Sequence, residues 1–140
     1  MLDIRAIRDD PDRFRSALAR RDLAGAVDDL LAADERRRSL TVRVDELRAL
    51  QNKASKAIGR AEGDEKQRLI DEVARVSAEL RQVEPQLAEA DATMTELLAA
   101  TPNLPHDSSP DGSTDDDAVE VRRHLEPRVF DFEPKDHAEL

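Results

Sequence analysis

The sequence predicts an all-α fold: a long antiparallel two-helix coiled-coil hairpin, with short N-terminal helices and a C-terminal extended tail. One observation is a heptad run. Leu69, Val73, Val76, Leu80, Val83, Leu87, Ala90, Met94 and Leu97 step by four and three without a break, the repeat of a left-handed coiled-coil seam. A second is a weaker copy of that pattern upstream, through Leu30, Ala33, Arg37, Leu40, Val44, Leu47, Gln51, Ala54 and Ile58. A third is the short glycine-bearing stretch between the two, from Gly59 to Asp64. So short a turn reverses the chain and lays the helices antiparallel. Helices spanning about Val27–Ile58 and Glu65–Ala100 reach roughly 50 Å at ~1.5 Å per residue, so the pair must project as an arm.

The elements follow in order. Residues 1–23 read as two short helices. Asp3 caps the first, and Asp10-Pro11 forms an N-cap and first-turn pair for the second. Ile4, Ile7, Phe14, Leu18 and Leu23 are expected to cluster at the base of the arm. In the first long helix Arg37 and Gln51 occupy seam positions, where polar residues set register at some cost in stability. Gly59 is expected to end this helix in a left-handed conformation, and Asp64 to cap the next. Pro85 lies inside the second helix but off its seam, which predicts a continued helix with a local bend. Thr101-Pro102-Asn103-Leu104-Pro105 ends it. His106 to Asp117 is rich in Ser, Pro, Gly and Asp, a loop composition. Val119 to Arg123 and Val129 to Phe132 alternate like short strands, marginal without partners. The domain reading is therefore short helices over 1–26, the hairpin over 27–100, and a linker over 101–140 that leads into another domain.

Composition narrows the chemistry. In 140 residues, 39% are charged and 2% aromatic, with no Trp or Tyr. That suits an elongated, heavily solvated helical structure better than a compact core. Cysteine is absent, so disulfides and thiolate metal sites are excluded. His106, His124 and His137 show no metal-ligand spacing. No acid–base pair, phosphate-cradling glycine loop or nucleophile–histidine signature is visible. The N-terminus lacks the apolar run of a signal peptide and no stretch approaches a membrane span, which points to the cytoplasm and away from a membrane.

Net charge is −10, unevenly spread. Residues 36–60 hold eight basic side chains (Arg36, Arg37, Arg38, Arg43, Arg48, Lys53, Lys56, Arg60) against two acidic ones (Asp45, Glu46). Residues 61–100 hold four against ten. Local charge, not the chain average, decides contact with phosphate. A charged stripe is equally the ordinary solvated face of a coiled coil beside an acidic partner helix, and composition alone leaves both readings open.

Specific strings go further. Met1-Leu2-Asp3-Ile4 with Ile7-Arg8 and Asp10-Pro11 resembles the opening of bacterial seryl-tRNA synthetases. Gln51-Asn52-Lys53-Ala54-Ser55-Lys56-Ala57-Ile58-Gly59 resembles that family's arm-tip segment. Pro102-Asn103-Leu104-Pro105-His106-Asp107-Ser108 resembles the junction after the arm. Val119 to Arg123 and Phe130 to Leu140 resemble the lead into its catalytic domain. The strings occur in the family's order and cover the whole chain. Pro85, the acidic loop Asp111 to Asp115, and His124 depart from its pattern.

The resemblance implies an N-terminal helical arm that binds serine tRNA at its long variable arm and elbow, with selenocysteine tRNA as a further candidate. It also implies a class II catalytic domain beyond this chain, where serine is activated with ATP and Mg and through which the parent enzyme forms a homodimer. No cofactor, metal or catalytic residue is assigned within these 140 residues, and the chain alone is expected to be inactive. The ending at Glu139-Leu140 reads as a separated piece rather than a stand-alone paralogue.

A rigid cationic rod suits recognition of RNA by shape, because a double-stranded RNA helix presents phosphates and 2′-hydroxyls more accessibly than base edges. On this reading Arg43, Arg48, Lys53, Lys56 and Arg60 contact phosphates, and Gln51, Asn52 and Ser55 hydrogen-bond to ribose or backbone. Arg68 and Arg75 on the return helix are second-tier candidates, diluted by acidic neighbours. Arg37 reads as a structural pair, and Gln51 alternatively as a buried register device. The competing function is a structural or adaptor coiled coil that binds a partner helix. It requires an exposed apolar stripe, for which Leu31, Leu50, Ile70 and Leu98 are candidates without forming a continuous line.

Overall fold

The fold is built on one helical hairpin, seen in a computed structural model that describes residues 2–112, 114–126 and 128–139. Sequence readings at Met1, Ser113 and Leu140 lie outside the described residues. Among the described residues four α-helices run in order: α1 (Ile4–Asp9), α2 (Pro11–Ala19), α3 (Ala26–Ile58) and α4 (Gly63–Ala100). At ~1.5 Å per residue, the 38 residues of α4 extend about 57 Å. No strand forms among the described residues. Among the described residues of the tail after Ala100 the only regular element is a 3-10 turn at Asp115–Asp117, and Val119, Val121, Val129 and Phe132 stand exposed. The expected strands over 119–123 and 129–132 are therefore not present, as befits extended segments without a pairing edge.

Both heptad runs become the seam. Val44 and Leu47 are each 1% exposed and pack with Val76 and Leu80, flanked by Val83 and Leu87. Gln51 Nε2 donates to Ser77 Oγ across the seam at 2.8 Å. This polar contact fixes register where an apolar pair would tolerate sliding. Pro85 sits within α4 without ending it, on an exposed face where water can take the carbonyl it frees.

At the base, α1 and α2 fold back on the hairpin. Ile7, Phe14, Leu18, Val27, Leu30 and Met94 form the buried cluster, with Leu31, Leu97, Leu98 and Leu104 packed around it. Leu31 and Leu98 thus cover the base and cannot serve an exposed stripe. Leu23, expected in the cluster, is 39% exposed. Asp3 and Asp10 cap α1 and α2 as expected, accepting from the Arg5 and Arg13 amides at 2.9 and 3.2 Å.

The distal turn corrects two expectations. Gly59 is right-handed, with φ −66°, and the left-handed residue is Gly63 at φ +58°. Glu62 takes the N-cap position without a side-chain cap bond, so Asp64 lies inside the first turn of α4 and does not cap it. The reversal at Gly63 starts the helix before Asp64 is reached.

Asp34 is 1% exposed and sits among three guanidinium groups. Arg8 of α1 approaches its Oδ2 to 3.4 Å, Arg38 to 3.1 Å, and Arg37 approaches Oδ1 at 3.7 Å. Neither carboxylate oxygen gains an aligned hydrogen bond, so charge holds the cluster. Arg37 also reaches Asp91 of α4 at 3.6 Å, which links three helices through one seam position. A second tie runs from Arg20 at the end of α2. Its guanidinium bonds Asp111, the Ser109 carbonyl and, at 3.3 Å, the His106 carbonyl, while its own carbonyl accepts from the Gly112 amide.

Two measurements follow from this packing. Gly63→Ala should cost about 1 kcal/mol in thermal unfolding, because a Cβ is strained at positive φ. Gly59→Ala, with only the Lys56 carbonyl 3.7 Å from the added methyl, should be neutral or slightly stabilising. The reverse order would refute this turn geometry. The paired variant Arg8→Met/Arg38→Met strands a buried carboxylate and should lose roughly 1–3 kcal/mol, discounted for the partial exposure of both arginines. Asp34→Leu buries no charge and should lose less. Equal losses would show that Asp34 is not held as a buried anion.

Candidate nucleic-acid interface

The basic face of α3 divides into two parts. Along the shaft its arginines meet carboxylates of α4. Arg36 lies 3.5 Å from Glu89, Arg43 Nε donates to Glu79 at 3.0 Å, and Arg48 Nη2 donates to Glu84 at 2.8 Å. Arg43 also reaches Glu46 one turn along its own helix, at 3.5 Å. The hydrogen bond that Arg43 donates to Glu79, then the charge of Glu79, raise the pKa of the Arg43 guanidinium above its ordinary value. The acidic return helix therefore offsets much of the shaft's positive charge. These pairs are exposed, so each contributes little to stability and is broken at little cost.

The tip differs. Lys53, Lys56 and Arg60 are exposed at the end of α3, and Lys66 and Arg68 at the start of α4. None of the five makes an ion pair or a side-chain hydrogen bond to another described residue. Lys53, Lys56 and Arg60 share one open groove with Ala57, Ala61 and Glu65. Three of the expected phosphate-contacting residues thus come together, whereas Arg43 and Arg48 lie on the paired shaft.

The polar candidates also separate. Asn52 and Ser55 are exposed beside the tip cations, whereas Gln51 is half-buried and spent on Ser77. That bond matches the register role offered for Gln51 and leaves less of its amide for a ligand. Arg75 is exposed, with its Nε 3.4 Å from the Asp71 carbonyl. Arg68 stands nearer the turn without such a contact.

Lys66 escaped the sequence reading. The signal was its place in the first turn after the reversal, six residues from Arg60, which brings it to the same end of the hairpin. Among the described residues no group of His, Asp and Glu forms a metal site, and no helix is long and apolar enough to cross a membrane.

Comparisons with known proteins agree with this architecture. The family described as the seryl-tRNA synthetase N-terminal domain matches residues 1–105. Serine–tRNA ligase of Ruegeria pomeroyi is 44% identical over 144 residues, covering 100% of this chain and 34% of that protein. Serine–tRNA ligase of Streptomyces coelicolor is also 44% identical, with the same coverage. The crystal structure of seryl-tRNA synthetase from Pyrococcus horikoshii complexed with ATP superposes with a TM-score of 0.73 at 28% identity, over 87% of this chain and 28% of that one. The chain thus spans about a third of the length of these relatives. With its N-terminal 105 residues matched and its hairpin reproduced in a solved relative, the chain belongs to the seryl-tRNA synthetase N-terminal domain family.

Proposed function

We propose that this chain is the tRNA-binding arm of a serine–tRNA ligase, and that its distal end carries the principal phosphate contacts. The observation behind this reading is the cluster of cations, without ion pairs among the described residues, at the end of a projecting hairpin in a chain of this family. Lys53, Lys56 and Arg60 lead, with Lys66 and Arg68 opposite. Asn52 and Ser55 supply hydrogen bonds to ribose or backbone. Arg43 and Arg48 join only by releasing Glu79 and Glu84, and Arg75 and Gln51 rank lower for the contacts they already make.

Residues 27–100 form the arm, 1–26 brace its base, and 101–140 lead to a class II catalytic domain. In the whole protein that domain joins serine to serine tRNA, and by the same arm to selenocysteine tRNA, using ATP with Mg. It also supplies the homodimer contact, and the enzyme works in the cytoplasm. This chain alone should not aminoacylate.

Binding is then electrostatic and set by shape. A stiff arm with cations at its end registers where a long variable arm leaves the tRNA body, and it needs no base sequence to do so.

The test is a salt titration with a long-variable-arm serine tRNA. Log affinity should fall linearly with log salt, by roughly 0.7–0.9 for each phosphate neutralised. Lys53→Ala/Lys56→Ala should lower the slope by about 1.5, and Lys53→Glu/Lys56→Glu should weaken binding further. Arg43→Ala should change the slope less than either lysine variant. A parent-like slope in both lysine variants would refute the assignment to the tip.

A further inference from the structure

Beside the cationic groove lies a second depression of about 180 Å³, lined by Leu50, Lys53, Ala54, Ala57, Leu69 and Glu72. Small alanines at this end of α3 leave the groove between the helices unfilled, and leucines flank it. Leu50 is 44% exposed, an apolar side chain presented to solvent. Lys53 lines both depressions, so the apolar dimple and the cationic groove share a wall.

Building on the proposed RNA-binding role, we propose that this dimple takes an unpaired nucleobase of the bound RNA. The flat base lies against Leu50 and Leu69 while its phosphate lies toward Lys53, Lys56 and Arg60. Three features favour that occupant. The adjoining cations complement a phosphodiester and would repel a basic partner. Unstacked bases are the part of a folded RNA that offers an apolar face together with hydrogen-bonding edges. A partner helix needs anchors at i, i+3 or i+4, and i+7, and the exposed apolar residues nearby do not form that line. Glu72 on the rim supplies an acceptor for a base amino or imino proton. The site adds to phosphate contact a preference for RNA with a free base at the spacing of the tip.

The experiment compares two RNAs with equal numbers of phosphates, one a continuous duplex and the other a hairpin with 2-aminopurine in its unpaired loop. The parent chain should bind the looped RNA more tightly and change its fluorescence. Leu50→Ser, at an exposed position that leaves the seam intact, should weaken looped RNA about fivefold through lost apolar contact. Duplex affinity and the salt slope should stay unchanged. Leu50→Met should bind like the parent. If Leu50→Ser binds both RNAs as the parent does, or loses both equally, the base site is wrong while the phosphate reading stands. If the parent binds neither RNA in a salt-dependent way, the RNA-binding role itself fails and this inference with it.

Discussion

The antiparallel seam between α3 and α4 decides where positive charge remains available on this protein. The seam aligns a basic helix against an acidic one. Along the shaft that alignment is productive for pairing: Arg36, Arg43 and Arg48 find Glu89, Glu79 and Glu84. Each such pair contributes little to stability because it is exposed. Its larger effect is on the field, since neighbouring opposite charges cancel at a distance. Near the turn the pairing stops and Lys53, Lys56 and Arg60 are left over. In a chain with net charge −10, the distal end of the hairpin therefore keeps five cations that make no ion pair among the described residues, interleaved in sequence with Glu62, Asp64, Glu65, Asp71 and Glu72.

The base of the lever is fastened by means of a different kind. A buried apolar cluster joins α1, α2 and the roots of α3 and α4. Asp34 and its three arginines tie α1 to α3, and Arg37 carries the tie on to Asp91 of α4. Arg20 then gathers the chain leaving α4 onto the end of α2. Removing a charge inside such a cluster costs more than its ion pairs contribute, because the remaining partners are left desolvated. A long arm needs this bracing, since a small tilt at the base becomes a large displacement at the tip.

Much of this architecture is legible in the residues. Heptad spacing marks both long helices, and the brevity of the stretch between them forces their reversal. Asp3, Asp10 and Pro11 mark the short helices by capping chemistry. Other features are hidden for physical reasons. Handedness at the turn depends on how the two helices meet, so the choice between Gly59 and Gly63 is not local. The burial of Asp34 is invisible because the arginine completing its cage lies in a separate helix. The segments alternating at Val119 and Val129 read as strands by period, but a strand exists only through its neighbours. At the candidate site, the sequence locates the basic stretch but not its division. Arg43 and Lys53 look alike until the register gives Arg43 an ion pair with Glu79 and leaves Lys53 without one among the described residues.

Amide NMR of the labelled chain, titrated with serine tRNA, would test this division of charge most directly. Perturbations should concentrate on residues 50–72, with weaker changes over 36–48 and 79–91 as shaft pairs rearrange. Perturbations centred on the shaft or the base, with the turn unaffected, would contradict it.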